Sequence, residues 1–163
     1  MIVKAGVLTI SDKGSRGERK DESGAAVAKI IEEHGYSVVK RGIVPDDKAR
    51  ISETLVKWAD SHGLTLILTS GGTGLSPTDV TPQATSEVIE FEVPGIAEAM
   101  RSASLKKTPH AMISRAVAGV RNYCLIINLP GSKKGAVENL ESVMPALDHA
   151  LSKLLGDTSD CAT

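Results

Sequence analysis

The segment Ser70-Gly71-Gly72-Thr73-Gly74-Leu75-Ser76 holds three glycines and three hydroxyls in seven residues. Glycine admits positive φ, which lets consecutive backbone N–H groups converge on one anion. The hydroxyls of Ser70, Thr73 and Ser76 add further donors. This is chemistry for holding a phosphate. The segment is not a Walker loop, because no Gly-x-x-x-x-Gly-Lys-Ser/Thr occurs, and the Gly-x-Gly-x-x-Gly dinucleotide fingerprint is missing too.

Asp79 follows at once. A carboxylate beside a phosphate loop repels its ligand unless a cation lies between them. Mg²⁺ suits that place, since it takes one or two carboxylates plus phosphate oxygens. Capping the next helix is the alternative role for Asp79. Asp46 faces the same choice, a helix cap or a second Mg²⁺ or nucleotide contact. Asp12, at the end of an apolar run, either meets ligand or caps a turn. Pro130-Gly131-Ser132 offers a second backbone cradle, with Ser132 also placed to cap a helix. Arg101, Arg115 and Lys133 are candidate phosphate partners. The histidines at 34, 62, 110 and 149 show no metal-ligand spacing.

Apolar periodicity supplies the elements that position these residues. Val3–Ile10, Tyr36–Val44 and Leu64–Thr69 read as strands, the third with almost no polar break, as in a strand buried on both faces of a parallel sheet. Asp21–His34 reads as a helix from Val27, Ile30, Ile31 and His34. A second helix follows Asp46 or Asp47, with Ile51, Leu55, Trp58 and Ala59 on one face. Thr81–Glu90 and Pro94–Leu105 are helical. Ser114–Val120 and Tyr123–Leu129 suit two antiparallel strands, though the first also suits a helix. The last helix spans about 134–155, and Pro145 should kink or split it. Ser11–Lys20 reads as loop. The alternation predicts a three-layer αβα domain with a mostly parallel central sheet and one antiparallel strand pair. Its single domain should cover 1–155, with a polar tail over 156–163. Ligands in such sheets bind beyond the carboxyl ends of the strands, where the loops 11–20, 45–47, 70–79 and 130–134 gather.

Composition narrows the function. The 163 residues carry 19 basic and 20 acidic side chains, a net charge of −1, and only 2% aromatics. Neither a basic field nor stacking rings speak for a nucleic-acid partner. No apolar stretch nears the ~18 residues of a membrane span, and Met1–Ile10 lacks the features of a signal peptide. Cys124 and Cys161 make no disulfide framework and read as free thiols. The expected location is the cytoplasm.

The run Thr69–Thr85 closely resembles the signature of the molybdopterin-binding family, which includes MogA, MoaB and the plant gephyrin-like Cnx proteins. Thr9-Ile10-Ser11-Asp12, Pro94–Arg101, Ser114-Arg115-Ala116 and Asn128–Ser132 resemble further blocks, so the likeness spans nearly the whole chain. Lys133-Lys134 stands where many relatives carry Pro. The resemblance implies Mg²⁺- and ATP-dependent adenylylation of molybdopterin, with release of pyrophosphate; the alternative is a non-catalytic molybdopterin-binding paralogue or carrier. It puts the two important aspartates at Asp46 and Asp79, both as catalytic residues and as Mg²⁺ ligands. It puts the phosphate-binding loop at Gly71–Gly74, and with the residues and blocks read above the expected substrate or nucleotide contacts are Ser11, Asp12, Ser70, Gly71, Gly72, Thr73, Gly74 and Ser76, and Glu98, Arg101, Ser114, Arg115, Pro130, Gly131 and Ser132. It also implies a homotrimer or hexamer and a downstream molybdate-inserting partner of the MoeA type.

Overall fold

A computed structural model describes residues 1–161. Six strands form one sheet in the order β2-β1-β3-β6-β5-β4. The strands β1 (Lys4–Ile10), β2 (Ser37–Val44), β3 (Leu66–Ser70) and β6 (Cys124–Leu129) run parallel. The short β5 (Ala118–Arg121) and β4 (Phe91–Glu92) extend the sheet antiparallel. Every residue of β3 and β6 is buried, as is all of β1 beyond Lys4. The unbroken apolar runs in the sequence are therefore the central strands, covered on both faces. At the edge, β2 alternates half-buried and exposed positions, which is the pattern of a strand with one face to water.

Helices α2 (Glu22–Glu33), α5 (Pro94–Leu105) and α6 (Lys133–Leu154) cover one face. Val27, Ile31, Met100, Leu140 and Leu147 meet Val7, Leu66 and Ile127 there. On the other face, α3 (Lys48–Asp60) and α4 (Thr81–Val88) bring Ile51, Leu55, Trp58 and Ala84 against Leu8, Ile67 and Ile126. With so few rings, aliphatic side chains build almost all of both cores.

Four features differ from the sequence reading. The stretch expected as loop after β1 contains a single helical turn, α1 (Asp12–Ser15), capped by Ser11. Helix α4 ends at Val88, which frees Phe91–Glu92 to pair with Val120 and Gly119. Residues Ser114–Val117 lie outside β5, after a 3-10 turn at Pro109–Ile113. Pro145 does not split the last helix, which runs unbroken from Lys133 to Leu154. Pro145 is exposed, so the Glu141 carbonyl that loses its partner lies on the wet side of the helix and can bond water instead.

Candidate active site

The chain reverses direction of winding between β1 and β3: β2 lies on one side of β1, and everything after β3 lies on the other. Open parallel sheets bind ligands at this switch point, beyond the strand ends. Here Ser11 follows β1, Gly71 follows β3 and Pro130 follows β6.

Backbone geometry makes the loop after β3 an anion cradle. Gly71 and Gly72 both hold positive φ, at 112° and 66°. A Cβ on Gly71 would run into the backbone carbonyl of Ile10, and one on Gly72 into Thr81 Oγ1. The Gly71 N–H is spent on the Leu129 carbonyl at 3.1 Å. Among the described residues, the next three N–H groups, of Gly72, Thr73 and Gly74, donate to no protein acceptor. The cradle is thus shifted one residue along from the Gly71–Gly74 span of the sequence reading. A second loop touches it, since a Cβ on Gly131 would stand 3.3 Å from the Gly71 Cα.

The aspartates take distinct roles. Asp47, not Asp46, caps α3 by accepting from the Arg50 N–H. Asp46 is left to exchange bonds with Asp12: the Asp12 N–H donates to Asp46 Oδ2 at 3.1 Å, and the Asp46 N–H donates to Asp12 Oδ1 at 2.9 Å. This reciprocal link ties the loop after β1 to the loop after β2. Burial raises the pKa of Asp46 above the usual carboxylate value. The Asp12 N–H opposes that rise, while the like charges of Asp12 and Asp79 add to it. Asp79 does not cap α4, whose N-cap is Val80 with no side-chain bond. Its Oδ2 instead accepts from the Ser76 N–H at 3.0 Å and closes the end of the glycine loop.

Two cavities flank this loop. The larger, about 630 Å³, is lined by Ser11, Asp46, Ser70, Gly71, Gly72, Asp79, Gly131 and Ser132, with Arg19, Lys20 and Lys133 around it. Among the described residues none of these three cations forms an ion pair. The smaller, about 260 Å³, is lined by Thr73, Gly74, Arg101, Ser114, Pro130 and Ser132, with Ala111 and Ile113 as apolar walls.

The remaining sequence-predicted residues divide into those that line the cavities and those that hold the walls. The Ser70 hydroxyl is buried and lies 2.8 Å from the Pro130 carbonyl and 3.0 Å from Ser23 Oγ, so it ties the end of β3 to the loop after β6 and to the first turn of α2. Ser11 and Ser132 each accept a capping bond, from the N–H of Gly14 and Gly135. Arg115 lines neither cavity. Its guanidinium donates to the carbonyls of Gly74 and Asp79 and to Gln83 Oε1, at 2.9, 2.8 and 3.1 Å. It ties the C-terminal half of the glycine loop, from Gly74 to Asp79, to Gln83 on α4 rather than waiting for phosphate. Arg101 lines the smaller cavity, though its Nη1 donates to the carbonyls of Ser114 and Ala116. Glu98 is exposed and faces a separate depression beyond Arg101. Ser76 and Asp12 lie outside both cavity linings.

Sequence reasoning missed Arg19, Lys20, Glu138 and Thr81. Only position could have pointed to them, the first two from the loop after β1 and Glu138 from its place on the first turns of α6. Asn128, quoted within a motif, proves to be a buried tie. It donates to Thr69 and Thr85 at 3.0 and 2.9 Å and accepts from the Val117 N–H.

A mostly parallel α/β sheet with a donor-rich glycine loop, linked carboxylates and two adjoining cavities at its switch point defines an α/β protein with a site suited to anionic ligands. Residues 6–149 match the model of a family described as a probable molybdopterin binding domain, and the chain belongs to that family. It is 40% identical over 157 residues to a molybdopterin adenylyltransferase of Helicobacter pylori, covering 95% of this chain and 89% of that protein. It is 38% identical to a molybdopterin adenylyltransferase of Escherichia coli, over 88% of this chain and 75% of the relative. The crystal structure of the molybdopterin biosynthesis enzyme MoaB of Thermus thermophilus superposes with a TM-score of 0.91 at 52% identity, covering 96% and 98% of the two chains.

Proposed function

We propose that this chain is a molybdopterin adenylyltransferase that joins molybdopterin to the AMP moiety of ATP in molybdenum cofactor synthesis. The observation that carries the reading is the pair of cavities on either side of one donor-rich glycine loop. Two phosphorylated molecules can meet there with their phosphates at the same backbone N–H groups.

The larger cavity suits Mg²⁺-ATP. A hard cation is assigned to the space between Asp46 and Asp79, which line this cavity together beside Gly71 and Gly72, because Mg²⁺ takes one or two carboxylates plus phosphate oxygens. Thr81 Oγ1, buried without a partner among the described residues, lies beside Gly72 on the same side as Asp46 Oδ1. Bound Mg²⁺ would neutralise charge between the carboxylates and the polyphosphate. The smaller cavity suits the pterin, with Ala111 and Ile113 against the ring and Thr73 and Gly74 toward the phosphate.

The reaction needs no protein nucleophile. An oxygen of the molybdopterin phosphate attacks the α-phosphorus of ATP, the bond from that phosphorus to the bridging oxygen breaks, and pyrophosphate departs. The protein has to align two anions and hold the charge that grows on the transferred phosphoryl group. The N–H groups of Gly72, Thr73 and Gly74 supply fixed donors for that charge. Arg19, Lys20 and Lys133 supply cations for the departing pyrophosphate. Asp12 keeps Asp46 in place through the reciprocal bonds, and Arg115 keeps the loop from opening.

The same reading makes residues 1–155 a single molybdopterin-binding domain. It carries a homotrimer or hexamer in the cytoplasm and hands the product to a molybdate-inserting protein of the MoeA type. No helix among the described residues is long and apolar enough to cross a membrane. Pyrophosphate release tests the chemistry: it should require ATP, molybdopterin and Mg²⁺ together and stop on chelation. Release from ATP in the absence of molybdopterin would contradict it.

A further inference from the structure

Glu138 lines the smaller cavity. It lies in the second turn of α6, its side chain only 24% accessible, with Oε1 3.3 Å from Lys107 Nζ. A carboxylate there needs a reason, because the ligand proposed for this cavity carries a phosphate that a carboxylate repels. It is welcome only where the ligand presents N–H donors. A pterin has one such edge: its 2-amino group and N3–H point the same way and match the two oxygens of a carboxylate. Paired N–H donors on a carboxylate form a strong bidentate contact.

Position agrees with this pairing. Ser132, the N-cap of α6, lies beside the glycine loop and lines both cavities. Glu138 is six residues further on, about 9 Å along the helix axis. That separation suits a fused bicyclic ring with its phosphate at the loop and its amino edge at the far end. The neighbouring Asn139 cannot match both donors, because its amide nitrogen is committed to Ser104 Oγ and the Gly135 carbonyl and it has only one acceptor oxygen to offer.

We infer that Glu138 is the residue that recognises the 2-amino and N3–H edge of the pterin and so sets the specificity of the smaller cavity. The inference rests on molybdopterin occupying that cavity. The alternative is that Glu138 only braces α6 against Lys107. The Lys107 side chain is 55% accessible, and an ion pair open to water on its cationic side contributes little, so the two roles separate.

The test measures molybdopterin affinity of the full chain under anaerobic conditions for wild type, Glu138→Gln and Lys107→Met. A non-hydrolysable ATP analogue and thermal melting serve as parallel readouts. Glu138→Gln turns one acceptor into a donor facing the ligand's own donors. It should weaken molybdopterin at least about 10-fold, while analogue affinity and melting temperature stay at wild-type values. Lys107→Met should stay within about 3-fold of wild type. Unchanged affinity in Glu138→Gln would overturn the inference, as would an equal loss in Lys107→Met. A wild-type protein that bound the ATP analogue but no molybdopterin would instead overturn the proposed function itself.

Discussion

Asp46 stands in conflict with its surroundings. It is half-buried beside two other carboxylates, and burial together with those charges raises its pKa. A carboxyl with a raised folded-state pKa contributes stability below the ordinary carboxylate range, and loses it as pH rises through the folded value. At neutral pH the ionised group therefore works against folding. Asp46→Asn, which can still accept the Asp12 N–H, should melt at a higher temperature than wild type at pH 7. The gain should disappear in acid below the ordinary carboxylate range. Thermal melts across that range check this, and a variant less stable than wild type at pH 7 would contradict it. Added Mg²⁺ should raise the melting temperature of wild type more than that of the variant. Stability surrendered at one residue in this way is common where a site is prepared for a charged ligand.

At the scale of elements, the site depends on side chains that never meet ligand. Arg115 makes three bonds, two to the main-chain carbonyls of Gly74 and Asp79 and one to Gln83 of α4, and so fixes the C-terminal half of the glycine loop. Arg115→Ala should destabilise the fold by about 1–3 kcal/mol and weaken both substrates together. Arg115→Lys should not restore them, because an ammonium cannot span three acceptors with the guanidinium's planar fork. Urea denaturation and paired titrations check both statements. The glycine loop itself was legible in the sequence, since its chemistry is local: glycines, hydroxyls and a preceding buried strand all lie within a dozen residues. The role of Arg115 was not, because its partners lie 32 to 41 residues away. The same holds for the Asp12–Asp46 link, which joins two loops 34 residues apart. Two short elements escaped for a different reason. A four-residue helix and a two-residue strand have no periodicity to read, and the pairing of Phe91 and Glu92 exists only because β5 lies beside them. Pro145 misled because a helical proline disrupts most where its freed carbonyl is buried, and here it is exposed.

For the molecule as a whole, the sheet places three loops at one end while helices pack on both of its faces. One tie, between the turn that joins α2 to β2 and helix α6, is sensitive to pH. The Tyr36 hydroxyl donates to Asp148 Oδ1 at 2.5 Å, and His34 Nε2 lies 3.4 Å from Asp148 Oδ2. The Tyr36 hydrogen bond holds the Asp148 carboxyl below the usual range, with His34 assisting and slight burial opposing. A depressed folded-state pKa gives stability above the ordinary carboxylate value and loses it as pH falls through the folded value. The difference in melting temperature between wild type and Tyr36→Phe should therefore be larger at pH 7 than at about pH 3. A difference that grows in acid would contradict the tie.

The central claim is that two phosphorylated ligands react across the glycine loop with Asp79 in the chemistry. The direct measurement incubates purified protein with molybdopterin, ATP and Mg²⁺ and follows adenylylated molybdopterin by mass, with Asp79→Asn alongside. Product from wild type, reduced about 100-fold or more in the variant with molybdopterin affinity retained, is the result expected. Tight molybdopterin binding without product would make the chain a carrier and contradict the claim, and equal loss of turnover and pterin affinity in the variant would remove Asp79 from the transfer step.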